Sequence, residues 1–416
     1  MVVTTKAPTH VPGRQRFGGL LNGDYQTFLA LFGFGALFTA FQNLPKLREF
    51  LFGQSIVDFP TVFGLLVVLC AMFWRGLLRR GFVWAEPAAL TWMDFARVDR
   101  RRVVVKRMWT LWLGLVLAVG YTGALVTAIG GGPGDVWIAM SALTASGAVL
   151  AAVTARRTAI RGETAAPVVL ALAGLAIAAA GWGPIAVEVL AGVLFVVAVA
   201  VAFGGEPMSG VGRQELVDGW NARLLRAMAA VFMDPMLLIP ESKPVPWLSL
   251  RRPTTLRLAW AGVLGRMRYA AASVVIACLA GVAHLAFPAI PVGPLFALGA
   301  YAALVPFAGG LGELWRNPGR RRWLGASDWE LRLVNGLVIA LLGLGWGLSL
   351  GLVTLTLGMV PAWPVWLAIP LAVVAVLRTA TRPPMNYDVG GGAAGLQALR
   401  GVDVLAVGAV LLSVIT

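Results

Sequence analysis

Charge is scarce in this sequence: 13% of its 416 residues are charged, 19 acidic and 34 basic, while 59% are hydrophobic. Soluble globular chains carry about twice that share of charge, so the composition excludes them and implies an integral membrane protein. Cysteine is nearly absent, and Cys70 and Cys278 both fall inside apolar runs, which excludes a loop disulfide or a cysteine metal cluster. No G-x-x-x-x-G-K-[ST] loop accompanies any of the four lysines, so the phosphate cradle needed for ATP hydrolysis is missing. The N-terminal MVVTTKAPTHVPGRQRFGGLLNGDY lacks the apolar core and small-residue cleavage site of a secretory signal, and is expected to stay in the cytoplasm. A net charge of +15 would point a soluble protein towards nucleic acid. Here the basic residues sit in short loops between apolar runs, where they record topology, and no nucleic-acid partner is expected.

Long apolar runs are what the sequence has in abundance. A bilayer core about 30 Å thick takes roughly 20 apolar residues as helix, because each unpaired backbone group in lipid costs several kcal/mol. That length test predicts an all-α polytopic membrane protein with about 11 transmembrane helices. The first six are Tyr25 to Gln42, Phe59 to Trp74, Met108 to Ile129, Asp135 to Ala155, Ala166 to Trp182 and Pro184 to Phe203. The rest are Tyr269 to Phe287, Val292 to Leu311, Val334 to Leu357, Trp363 to Leu377 and a short Asp403 to Thr416. The chain thus divides into an N-terminal cytoplasmic segment (1–24), a first membrane half (25–203), an interfacial linker (204–268) and a second membrane half (269–416). With the N-terminus inside, every Lys and Arg except Lys46 and Arg48 is cytoplasmic, as expected in the inner membrane.

Two linker stretches read as amphipathic helices. Arg213 to Met233 carries Leu216, Trp220, Leu224, Met228 and Val231 on one face, and Asp234-Pro235 ends it. Thr254 to Arg268 carries Leu256, Leu258, Trp260 and Leu264, and such helices bury an apolar face at the lipid interface while Arg stays near headgroups. A third polar island, Arg79 to Arg107, holds with its flank from Arg75 nine of the 34 basic residues. Pro87 opens a short amphipathic segment within it, in which Leu90, Trp92, Met93 and Phe95 alternate with Asp94, Arg97 and Asp99.

The two halves share words in order. Trp92 followed eleven residues later by Val103 matches Trp323 followed by Val334, and Val126-Thr127 matches Val353-Thr354. Val136-Trp137-Ile138-Ala139 then matches Val365-Trp366-Leu367-Ala368, and Arg157-Thr158-Ala159 matches Arg378-Thr379-Ala380. An even number of spans in the first half puts both halves in the same orientation, so the sequence predicts two parallel pseudo-repeats. The counterpart of the first polar island is then Glu313 to Arg332, with Trp323, Asp328, Trp329 and Glu330.

Ionisable groups at membrane depth are expensive and kept mainly for function, and here they are few. Glu188 and His284 are the pathway candidates. Thr144-Ala145-Ser146-Gly147 lacks the first glycine of a serine-protease nucleophile and reads as small helix-packing residues. Glu49 and Asp58 share the first outer loop, as acids do in lipid-linked glycosyltransferases, but they are not adjacent and a solvated loop explains them. No catalytic residue, metal site or cofactor is expected.

The layout resembles the permease subunits of type 2 ATP-binding-cassette exporters, in particular the fused actinobacterial permeases. The resemblance rests on a cytoplasmic N-terminal segment, two spans, a Trp- and Arg-bearing loop and four more spans. A central segment, LLRAMAAVFMDPMLLIPESKPVPWLSLRR (224–252), precedes a second basic elbow helix. It implies that the loops between the second and third spans are coupling helices that dock on a separate ATPase subunit. That assigns partner contact to Leu90, Trp92, Met93, Asp94, Phe95, Arg97, Asp99, Trp323, Asp328, Trp329 and Glu330. It also implies a lipid-like or hydrophobic cargo, with membrane lipids and, if two chains form the pathway, a second permease chain as further partners. The second half departs from the pattern by one missing span and by Gly325 interrupting its loop. The alternative reading is a non-transporting membrane scaffold or a protein that processes lipid-linked sugars.

Overall fold

The computed structural model describes residues 42–53, 59–77, 83–96, 100–130, 150–154, 165–181, 184–203, 210–231, 242–245, 254–383 and 400–415, with isolated positions besides. Among these the chain is helical and holds no β-strand. It forms two compact units, residues 1–50 and 51–416. Helix α1 spans Leu44–Phe52. Everything that follows lies in the larger unit.

The first membrane half contributes α2 (Phe59–Leu77), α3 (Pro87–Phe95), α4 (Arg101–Gly130), α5 (Ala166–Ala180) and α6 (Pro184–Phe203). The linker forms α7 (Arg213–Val231) and α8 (Thr255–Leu264). The second half contributes α9 (Ala270–Ala286), α10 (Val292–Leu304), α11 (Gly309–Arg316), α12 (Pro318–Trp323), α13 (Asp328–Thr356), α14 (Ala368–Ala380) and α15 (Val402–Ile415). Five stretches among the described residues are long and apolar enough to cross a membrane: Pro60–Leu77, Met267–Ala286, Val292–Arg316, Asp328–Thr356 and Trp363–Ala380. Each coincides with an expected span. The expected spans Ala166 to Trp182, Pro184 to Phe203 and Asp403 to Thr416 correspond to apolar stretches of 10–17 residues, Ala166–Ala180, Glu188–Val197 and Val402–Ile415. Those at Tyr25 to Gln42 and Asp135 to Ala155 fall mostly outside the described residues, as does the segment 1–24.

Local chemistry sets the ends of these helices. Thr254 caps α8 by accepting a hydrogen bond from the Arg257 amide, and Ser327 caps α13 in the same way from Glu330. Ser327 and Glu330 have capping-box spacing, so α13 starts at Asp328, six residues before the expected start of the span. Pro306 cannot donate to the helix ladder, and the span of α10 passes there through a 3₁₀ turn, Val305–Ala308, before resuming as α11.

Packing follows the rules of lipid rather than of water. On α13, Leu337, Leu341, Leu344, Leu348, Leu352 and Leu355 recur at helical spacing and stand exposed, while Ile339, Trp346 and Leu350 are buried. A helix that turns leucines outward and still buries an apolar face inward is built for a membrane. In the second half, α10 packs on α14 and α15, and α9 on α10 and α13. Among the polar groups of this core, Trp346 Nε1 donates to the Ser273 carbonyl at 3.0 Å, and the Tyr301 and Thr379 hydroxyls lie 3.0 Å apart. In the first half α2 lies against α5 almost backbone to backbone, because a Cβ at Gly64 would sit 2.5 Å from the Gly174 carbonyl oxygen and one at Gly174 would sit 2.7 Å from that of Gly64. Helix α9 packs on both α2 and α5.

Arginines gather at one end of this bundle. Arg75 at the end of α2 donates to the carbonyl of Arg268, just before α9. Arg316 closes α11 and Arg332 lies in the second turn of α13. We refer to this as the basic end.

Candidate functional site

Helix α3 forms where Pro87 occupies its first turn, a position whose N–H has no helical partner anyway. One face is fixed: Leu90 is completely buried with Val83, Ala85, Val104 and Leu216. The other face is bare, with Trp92 75% exposed and the Phe95 ring beside it at 6.4 Å. Met93 and Asp94 are half-buried between the two. Arg97 and Asp99 lie outside the described residues.

Asp94 holds two cations. Arg100, just before α4, donates from Nε at 2.8 Å, and Arg213 at the start of α7 lies at 3.7 Å. Arg213 also donates to the Thr91 hydroxyl at 3.1 Å. The Ala85 amide donates to the Leu216 carbonyl at 3.2 Å, and a Cβ at Gly219 would fall 2.2 Å from the Val83 carbonyl oxygen. Helix α7 is therefore part of this site. Its expected apolar stripe divides: Leu216 is buried against the α3 segment, whereas Leu224 and Met228 are exposed.

Trp84, just upstream, is the pivot of this cluster. The Arg107 guanidinium lies 3.7 Å and that of Arg223 4.0 Å from its ring centroid, and Trp220 stacks on it at 5.0 Å. Burial, and then the adjacent charge of Arg223, pull the Arg107 pKa below its usual value. The ring face stabilises two cations that repel each other.

The loop of the second half is built from the same parts. Trp315 is buried, with Arg321 at 4.8 Å and Arg332 at 5.0 Å from its ring. Pro318 opens α12, and Trp323 at its end is 92% exposed. Arg321 on α12 pairs with Asp328 at the start of α13 at 3.2 Å. Asp328, Trp329 and Glu330 are all exposed and lie in the first turn of α13, not in a separate amphipathic piece.

The signal that links the loops is W-x-x-P-x-x-x-x-W, present as WAEPAALTW (84–92) and WRNPGRRRW (315–323). All its fixed positions, together with Val103 and Val334, are 231 residues apart. The first Trp of each word is clasped by two arginines and the second is bare. Trp84 and Trp315 were not among the expected site residues, although this word was readable.

A second group missed from sequence is ionic. Arg156 and Glu163 pair at 2.9 Å with side chains 1% and 3% exposed, and Trp74 Nε1 donates to the same carboxylate oxygen at 3.2 Å. Arg156 Nε and Nη1 find no partner among the described residues. In the second half Arg378, near the end of α14, pairs with Asp403 at the start of α15 at 2.7 Å. The pathway candidates are on separate helices: Glu188 is exposed in the second turn of α6, and His284 is half-buried in the last turn of α9, edge-on to Phe296 at 6.3 Å. No cluster of His, Cys, Asp and Glu able to hold a metal occurs among the described residues.

Fold and composition define the class as a helical membrane protein with two tryptophan loops at its basic end. Comparison with protein-family models, with curated proteins and with solved structures gave no match to the chain.

Proposed function

We propose that the chain is the membrane-spanning permease of an ATP-driven exporter, coupled to a separate ATPase through the loops 80–107 and 313–333, and that its cargo is lipid-like or hydrophobic. The observation that carries this reading is the pair of W-x-x-P-x-x-x-x-W loops, each anchored by one Trp and each presenting another. Exposed aromatic side chains on an anchored helix are the usual centre of a protein–protein contact. Two copies at one end suit a partner that has two equivalent docking surfaces.

Each loop is also coupled to a long helix. Asp94–Arg100 ties α3 to α4, and Arg321–Asp328 ties α12 to α13. These helices have 30 and 29 residues. At 1.5 Å per residue each is about 45 Å long, enough to carry a displacement of the loop through the bilayer. Closure of the ATPase subunits would draw the loops together and tilt the halves, moving the population between inward- and outward-facing states.

The parallel repeat within an eleven-span, N-terminus-inside chain draws support from two further correspondences. In the repeat, α2 and α5 match α10 and α15, and both pairs are packed together. The fourth and fifth spans of each half are joined at the basic end by an ion pair, Arg156–Glu163 and Arg378–Asp403.

The experiment is to look for an ATP-binding-cassette ATPase gene beside this chain's own and, with its product, to measure co-purification and export. Trp92→Ala with Trp323→Ala, or Asp94→Arg alone, is expected to abolish co-purification and lower export at least tenfold. Unchanged export, or a neighbouring operon without any ATPase, would sink the reading.

A further inference from the structure

At the basic end of the second half, α8, α11, α12 and the first turns of α13 enclose a cavity of about 700 Å³, closed on one side by the extended stretch 242–245. This volume is in the range of sites that hold a whole small molecule. Its walls divide by chemistry. Leu258, Ala259, Phe307 and Leu324 form an apolar side. Lys243, Arg266 and Arg320 bring three positive charges, against one carboxylate, Glu313.

Arg266 is wholly buried. Nη2 is taken by Glu313, Nη1 donates to the Gly262 carbonyl at 2.9 Å, and Nε, with no partner among the described residues, faces Gly309, where a Cβ would sit 2.7 Å from it. Lys243 and Arg320 are exposed and make no ion pair among the described residues. After the Arg266–Glu313 pair is formed, the charges of Lys243 and Arg320 remain uncompensated at the cavity wall. An anionic oxygen entering here would be held by Lys243 and Arg320, whose charge-assisted donors have no carboxylate partner among the described residues. The cavity lies where the apolar spans Met267–Ala286 and Asp328–Thr356 begin and Val292–Arg316 ends, and Leu256 and Met267 beside it are exposed. Cations at that level meet phosphate headgroups, while the apolar wall continues towards the acyl layer.

We propose that this cavity binds a phosphate ester, and that its source is the headgroup of an anionic glycerophospholipid whose first acyl carbons lie along Leu258 and Phe307. The site does not rest on the transport reading, although Glu313 and Arg320 belong to the loop 313–333 proposed there to meet the ATPase. Lys243 and Arg320 come from separate elements to one volume without a counter-charge, which distinguishes the site from the scattered arginines that merely fix topology.

The test uses the full chain, purified in detergent, with dioctanoyl phosphatidic acid, dioctanoyl phosphatidylcholine and inorganic phosphate as separate probes, read by native mass spectrometry and by thermal stabilisation. Phosphatidic acid should bind with one copy per chain and at least tenfold more tightly than phosphatidylcholine or inorganic phosphate. Lys243→Ala with Arg320→Ala should weaken it at least tenfold, and Lys243→Arg with Arg320→Lys should retain it. Ala261→Trp, which fills the cavity and spares every charge, should abolish it. Equal binding of phosphatidylcholine, or undiminished binding by both the alanine pair and the filled variant, overturns the site. Inorganic phosphate binding as tightly as the lipid overturns the lipid as its source.

Discussion

Replacing Glu163 by Ala should be among the most damaging single changes in the chain. The carboxylate and its partner Arg156 are 3% and 1% exposed, so no solvent is present to screen the charge that remains. Removing one member of a buried pair costs about 3–5 kcal/mol, because the other charge is stranded without compensation. The Trp74 indole loses its acceptor as well, adding about 1 kcal/mol. A total of about 4–6 kcal/mol is a third or more of the stability of an ordinary fold. At on the order of 2 °C per kcal/mol for a large chain, the melting point should fall by about 8–12 °C. Fluorescence-detected size-exclusion chromatography after heating measures this directly. The double variant Arg156→Met with Glu163→Leu removes both charges and should recover most of the loss, since a well-packed apolar pair is close to neutral relative to a buried ion pair. The argument fails if Glu163→Ala melts within 2 °C of the parent, or if the double variant melts as low as the single one.

Three other outcomes follow from the same contacts. Gly64→Val should destabilise by about 3 kcal/mol, because its Cβ would lie 2.5 Å from the Gly174 carbonyl and two helix backbones must separate, and the melting curve reads this. Gly219→Val should detach α7 from the 83–96 segment, seen as faster amide exchange there with the membrane spans unchanged, since a Cβ at 2.2 Å from the Val83 oxygen cannot be accommodated. Trp84→Ala should cost about 2–3 kcal/mol through the loss of two cation–π contacts and the Trp220 stack, whereas exposed Trp92→Ala should change stability by no more than about 0.5 kcal/mol. Equal destabilisation by the two Trp variants would remove the distinction between anchor and presented residue.

Helix identity and most helix ends were legible because they depend on neighbours in sequence. Helix α7 starts at Arg213 as expected and is described as far as Val231, and the expected end at Met233 before Asp234-Pro235 lies outside the described residues. The miss at α13 was readable too: Ser327 and Glu330 mark a start ahead of Val334, and the apolar length test passes over polar first turns. The W-x-x-P-x-x-x-x-W word was equally local. Which of its tryptophans would be anchored was not, because Arg107, Arg223 and Arg332 arrive from elsewhere in the chain.

By itself, then, the sequence determined that this is a helical membrane protein whose basic residues are grouped between its long apolar runs. Backbone groups in lipid must be satisfied within each segment, so length and composition decide where helices run. Only the tertiary structure decided that α7 packs against the α3 segment, that Arg156 meets Glu163 and Trp74 away from water, and that Lys243, Arg266 and Arg320 line one cavity. Each of these joins residues from different elements, and the energy of a charge or an aromatic ring is set by what surrounds it, which no local pattern records.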